Sequence, residues 1–163
     1  MKKIETERLT MEIMSVRELL ALAEEYRLSD PELCKAYREM AQVYEEHPDE
    51  REWYTSWRIS TKDGVEVGDA DFKGLGSDGR IEIGYGIREE FRRCGYATEA
   101  VGGLCGYALA CPEITAVEAE TAPDNEISVK VLVKNGFAPT GTFGEEGPRF
   151  IKTKLADKAR RAD

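Results

Sequence analysis

The stretch Arg92-Arg93-Cys94-Gly95-Tyr96-Ala97 joins two segments of different hydrophobic period, and that junction decides the fold. Before it, Arg80-Ile81-Glu82-Ile83-Gly84-Tyr85-Gly86-Ile87 places Ile81, Ile83, Tyr85 and Ile87 on one face, the period of a half-buried strand. After it, Ala97, Ala100, Val101, Leu104, Cys105, Ala108 and Leu109 recur along one helical face. That recurrence predicts a helix from about Gly95 to Ala110, docked on the sheet. The quoted loop is therefore a helix N-terminus. Unpaired backbone N–H groups and the positive end of the helix dipole favour an anion there, Gly95 permits close backbone approach, and Arg92 and Arg93 add charge. The ligand so predicted carries phosphate.

A second block follows at Asn125-Glu126-Ile127-Ser128 and Val131-Leu132-Val133-Lys134-Asn135-Gly136-Phe137. Two nucleotide-binding lookalikes are absent: no Gly-x-x-x-x-Gly-Lys-Ser/Thr loop occurs, and no Gly-x-Gly-x-x-Gly fingerprint lies at this turn. The spacing Arg-x-x-Gly-x-Ala after a strand resembles the acyl-CoA pyrophosphate loop of the GNAT superfamily of N-acetyltransferases. Ile83-Gly84-Tyr85 with Gly95-Tyr96-Ala97-Thr98-Glu99-Ala100 resembles the wording of its RimJ/RimL branch. The second block resembles that branch's Asn-x-x-Ser followed by a helix ending in Gly-Phe. The resemblance covers roughly Val65 to Phe150 well, and earlier residues only in general layout.

This resemblance implies a mixed α+β fold over residues 1–163 as a single domain. Its sheet would be twisted and largely antiparallel, of about six to seven strands with a splayed parallel pair, flanked by about four helices. It implies an acetyl-CoA-dependent N-acetyltransferase that moves acetyl to a primary amine, a protein N-terminus or a small molecule, by direct attack in a ternary complex. A non-catalytic acyl-CoA-binding or sensor protein is the reading from another class. Cofactor-binding positions carried over are Tyr85, Gly86, Ile87, Arg92, Arg93, Cys94, Gly95, Tyr96, Ala97 and Asn125. Gly84 belongs to the same strand end, where splayed backbone would hold the pantetheine arm and the acetyl oxygen. For the general base the resemblance favours Glu82, with Glu118 and Glu120 as competitors that share one face of the next strand. Ser128 is the candidate on the thiolate side. Many family members carry a tyrosine acid in the last helix, but here Leu132 and Val133 occupy that region. Asn125 following Pro123-Asp124 also reads as a plain N-cap.

Composition sets the outer limits. The chain has 163 residues, 41% of them hydrophobic, enough for one domain with a sizeable core. A net charge of −9 argues against general nucleic-acid binding and suits a cationic partner, although acidic surfaces also serve solubility. No apolar run approaches a membrane span, and Met1 to Arg8 lacks a signal peptide's apolar stretch, so a cytoplasmic location is expected. Cys34, Cys94, Cys105 and Cys111 form no Cys-x-x-Cys pair and His47 is the single histidine, so neither metal nor disulfides are expected. A homodimer through a sheet edge is compatible with the pattern.

The remaining elements read as follows. Thr6 to Ile13 alternates as a first strand. Ser15 and Glu18 form a capping box, and Asp30-Pro31 opens a second helix ending near His47-Pro48. Trp53 to Ser60 and Val65 to Phe72 form a hairpin around Asp63-Gly64, and Ser77-Asp78-Gly79 turns into the next strand. The crossover helix returns Thr115 to Thr121 as a parallel neighbour. Phe137 to Phe143 and Arg149 to Lys154 close as a hairpin, followed by a fraying tail from Lys158 to Asp163. Trp53, Tyr54, Trp57 and Phe72 suit either an acceptor pocket or the core. Gly102, Gly103 and Gly106 lower the stability of the long helix by about 1 kcal/mol each relative to alanine.

Overall fold

A computed structural model describes residues 2–155. The expected tail at Lys158 to Asp163 lies outside the described residues. Strands β1 (Lys3–Glu5) and β2 (Leu9–Ile13) precede helices α1 (Val16–Tyr26) and α2 (Pro31–Glu46). Then come β3 (Ser56–Thr61), β4 (Glu66–Phe72), β5 (Arg80–Ile87), α3 (Tyr96–Ala110), β6 (Ala116–Glu120), α4 (Glu126–Lys134), β7 (Ala138–Phe143) and β8 (Pro148–Thr153). The eight strands form one sheet in the order β1-β2-β3-β4-β5-β6-β8-β7, antiparallel throughout except for β5 against β6.

The sheet holds one strand more than the expected count because Thr6 to Arg8 is a turn, with Thr6 N–H donating to Leu9 O at 3.0 Å, so that Lys3–Glu5 folds back on β2. The strand expected from Trp53 begins instead at Ser56, because Arg51–Trp53 closes a 3-10 turn. Trp53, Trp57 and Phe72 are buried in the main core and leave the acceptor pocket to other residues. Tyr54 stacks on His47 with ring centroids 3.8 Å apart.

Local signals account for the helix starts. Ser15 Oγ accepts from Glu18 N–H while Glu18 accepts from Ser15 N–H, and Asp30 caps α2 ahead of Pro31. The apolar stripe of α3 buries Ala100, Val101, Leu104, Cys105, Ala108 and Leu109 against one face of the sheet. At Gly103 this helix passes close to the N-terminal strands: a Cβ there would lie 2.7 Å from Met11 Cε. The α1–α2 pair carries its own small core around Met14, Leu19 and Tyr37. It meets the sheet through Tyr37, whose hydroxyl donates to Asp69 Oδ2 at 2.5 Å.

Candidate active site

Strand period divides the two sides of β5. Ile81, Ile83, Tyr85 and Ile87 pack toward the main core, while Glu82, Gly84 and Gly86 share the other face with their β4 partners Asp71 and Asp69. The parallel ladder between β5 and β6 ends at the pair Ile83 and Ala119, although β5 runs on to Ile87 along β4. Beyond Ile83 the two strands part. The β6-facing edge of Gly84 to Ile87 therefore has backbone groups with no strand partner.

A cleft of about 800 Å³ occupies this opening. Gly84, Tyr85, Gly86, Ile87, Arg92, Asn125 and Ser128 all line it, so the second sequence block meets the first across the gap. Arg92 Nε donates to Ile87 O at 3.3 Å, which ties the loop to the strand end. Arg93 and Gly95 both adopt left-handed backbone, at φ 66° and 80°, and Gly95 forms the N-cap of α3 without a side-chain cap. The first N–H groups of α3 are thus left for a ligand. Arg93, Cys94 and Gly95 lie exposed on this loop, while Tyr96 and Ala97 anchor it in the core.

Sequence reasoning missed the brace behind the loop. Arg8 Nη1 donates to Cys94 O at 2.8 Å, Arg8 Nε to Glu99 Oε2 at 2.7 Å, and its guanidinium lies 4.9 Å from the centre of the Tyr96 ring. Thr6 Oγ1 adds a bond to Glu99 Oε1 at 2.6 Å. Only folding brings the turn after β1 to this helix, and no local pattern announces it.

Asn125 caps α4, its Oδ1 accepting from Ser128 N–H at 3.1 Å, so the N-cap role is occupied while the side chain still lines the cleft. Ser128 Oγ lies 2.7 Å from the Tyr85 hydroxyl. Burial pushes that phenol above its ordinary value, against the opposing pull of the bond to Ser128.

The three sequence-derived carboxylate candidates converge on one cation. Arg149 of β8 donates to Glu82 Oε1 at 2.7 Å, to Glu118 Oε2 at 3.1 Å and to Glu120 Oε1 at 2.9 Å. Glu82 is further paired with Lys73 at 3.5 Å, and Glu118 with Arg80 at 3.2 Å. Glu82 and Glu120 line the cleft; Glu118 is not among its lining residues. The Glu146 backbone N–H at 3.0 Å, together with Arg149, holds Glu120 below the usual carboxylate range.

Asp71 behaves differently, and no sequence motif marked it. It lines the cleft directly opposite Gly84, and its carboxylate makes no hydrogen bond or direct ion pair with any of the described residues. Desolvation pushes its carboxyl up to about 6, with Lys73 pulling down and Asp69 and Glu82 adding to the rise. The signal available in the sequence was the alternation Gly68-Asp69-Ala70-Asp71-Phe72, which puts two carboxylates on one face of a strand. Which side that face looked onto required the sheet order.

The opened parallel pair ends in a cleft that Arg92, on the loop ahead of α3, also lines. Residues 5–138 match the family model described as the acetyltransferase (GNAT) domain, and the chain belongs to that family. It is 38% identical over 86 residues to the uncharacterized N-acetyltransferase YjdG of Bacillus subtilis (strain 168), covering 52% of this chain and 51% of that protein. The chain thus spans about half the length of the first curated relatives it matches. It is 29% identical over 154 residues to the uncharacterized N-acetyltransferase p20 of Bacillus licheniformis, covering 86% and 85% of the two chains. Among solved structures it shares its fold with RimL, a ribosomal alpha-N-protein acetyltransferase in complex with coenzyme A. That match has a TM-score of 0.75 at 16% identity and covers 96% of this chain and 100% of the other. No group of three or more His, Cys, Asp or Glu side chains suited to a metal occurs among the described residues, and no helix there is long and apolar enough to cross a membrane.

Proposed function

We propose that this protein is an acetyl-CoA-dependent N-acetyltransferase that moves an acetyl group to a primary amine by direct attack in a ternary complex. The observation that carries this reading is the opening beyond Ile83 and Ala119, lined toward the α3 loop by Arg92 and on its outer face by Asp71. The residues present fit the thioester. Arg92 and the α3 N-terminus suit a pyrophosphate, the Gly84 to Ile87 edge suits an extended amide-bearing arm, and Ser128 stands on the core side of the gap.

The chemistry divides between the two faces of the sheet. On the outer face Asp71 takes one proton from the acceptor ammonium, and the freed lone pair forms the C–N bond at the thioester carbon. Backbone N–H groups at the strand opening stabilise the oxygen as charge builds on it. The C–S bond breaks toward the core face. The sulfur gains a proton through Ser128, backed by Tyr85, and the second nitrogen proton balances that gain. Glu82, expected as the base, is held between Arg149 and Lys73; here it sets the field around Asp71 rather than receiving the proton.

The partners in this reading are acetyl-CoA and the amine, and a homodimer through the exposed β7 edge is compatible with it. The test is an acceptor screen on the purified chain that follows thiol release from acetyl-CoA against N-terminal peptides and small amines. Amine-dependent release with formation of the acetylated product supports the proposal. Saturable acetyl-CoA binding with no amine-dependent release would replace it with an acyl-CoA-binding protein.

A further inference from the structure

The outer wall of the cleft has an imbalance of charge at a defined spacing. Asp69 and Asp71 stand two residues apart on one face of β4, so their carboxylates are about 7 Å apart along the strand. Three of the six glutamates that line the cleft face a cation: Glu66 pairs with Arg88 at 3.2 Å, Glu82 with Lys73 and Arg149, and Glu120 with Arg149. Neither aspartate has a direct ion pair among the described residues. The Asp71 carboxylate has no hydrogen bond or direct ion pair among the described residues. Asp69 Oδ2 accepts from two neutral hydroxyls, Tyr37 at 2.5 Å and Ser56 at 2.8 Å, which fix its direction without neutralising it. Lys73 pairs with Glu82 at 3.5 Å and acts on Asp71 through space, drawing its carboxyl down without a direct ion pair. Above these carboxylates the α1–α2 pair contributes an apolar wall of Leu22, Leu33, Tyr37 and Met40.

Two carboxylates without a direct ion pair, under a hydrocarbon roof, suit a ligand with two positive ends and an apolar middle. A free amino acid would bring its own carboxylate against this wall, and a highly hydroxylated amine would leave its oxygens unpaired beneath the roof. We propose that the acceptor is a small alkyl amine carrying a second cationic group, with the reacting nitrogen at Asp71 and the second cation at Asp69. This rests on the acetyltransferase reading above. Asp71 is the catalytic carboxylate in it, and Asp69 sets specificity. Because Tyr37 of α2 holds Asp69, the roof and the second charge are positioned together. The α1–α2 pair therefore measures the acceptor's length.

The test compares acceptors that differ only in the second charge. With saturating acetyl-CoA, kcat/KM is measured for 1,4-diaminobutane, for butylamine, for shorter and longer diamines, and for an uncharged-side-chain peptide with a free N-terminus. The wild-type chain should favour 1,4-diaminobutane over butylamine by about tenfold or more, the scale of one hydrogen bond to a charged group. The preference should peak near the carboxylate spacing and shrink at high salt. In Asp69→Asn, which keeps an acceptor oxygen for Tyr37 and Ser56, the ratio should fall toward one. Equal use of the mono- and diamine by the wild type, a ratio unmoved by Asp69→Asn, or a dominant peptide acceptor would each overturn the proposal while leaving acetyl transfer intact. Release of thiol with none of these amines would overturn the catalytic reading itself. Should Asp69→Asn fail to fold, the wild-type length series decides alone.

Discussion

Asp71 of β4 and Gly84 of β5 are direct partners across the antiparallel ladder, and a Cβ at position 84 would lie 2.8 Å from Asp71 Oδ1. The glycine leaves open the space above a carboxyl that burial pushes up to about 6. A proton acceptor titrating near neutrality, beside the first residue of the strand opening, is what deprotonation of an amine requires.

Asp71→Asn should lower acetyl transfer by about a hundredfold or more while leaving acetyl-CoA affinity nearly intact, as expected when a general base is lost. Glu82→Gln should cost less, since that carboxylate already serves Arg149 and Lys73. Steady-state kinetics of both variants at several pH values decides between them. A larger and pH-rescued defect in Glu82→Gln would return the base to β5.

The same aspartate makes a stability prediction of definite sign. Its folded carboxyl titrates near 6, above its ordinary value of 3.8, so between these values the folded chain binds more protons than the unfolded one. Stability from this group is therefore present below about pH 4 and is lost as pH rises toward 6, a loss of up to ~3 kcal/mol. Asp71→Asn should raise the Tm at pH 7–8, by about 1–2 kcal/mol in stability, and show no such gain at pH 4. Thermal melts across pH check this, and an unchanged Tm at pH 8 would contradict the desolvated carboxylate.

Lys73 pulls the Asp71 carboxyl down, so Lys73→Met should move the acid limb of the kcat/KM profile to higher pH. A limb that stays in place would mean that another group titrates in it.

Gly95→Val should abolish the thermal shift given by coenzyme A. The backbone at Gly95 has φ 80°, which a β-branched residue rarely adopts, and the N–H groups beyond it are the proposed anion site. Differential scanning fluorimetry with and without the ligand reads this, with the wild type as reference.

Ser128→Ala should reduce the rate of transfer more than acetyl-CoA affinity, and Tyr85→Phe should give a smaller loss in the same direction, because Ser128 Oγ lies 2.7 Å from the Tyr85 hydroxyl. Single-turnover kinetics separates chemistry from product release. Full single-turnover rates in Ser128→Ala would leave the pair a structural role only.

The local sequence determined the strand-loop-helix around Gly95, the capping box at Ser15, the start of α2 at Asp30-Pro31 and the parallel return at β6. Each rests on periodicity or on a cap, and both act over a few neighbouring residues. It also placed Asn125 and Ser128 one helical turn apart, as their spacing requires. Tertiary structure decided the rest. Arg149 follows Glu118 by 31 residues and Glu82 by 67, so only the order of β5, β6 and β8 could show that one guanidinium occupies three candidate bases. Arg8 reaches the loop from Arg92 to Ala97 only because β1 and β2 pack beside α3. The Gly68 to Phe72 alternation gave Asp69 and Asp71 a common face, yet a strand's period cannot say which solvent or side chains that face will meet. Desolvation and ion pairing are set by neighbours distant in the chain, and these separate a carboxylate held by an arginine from one that burial keeps without a direct ion pair.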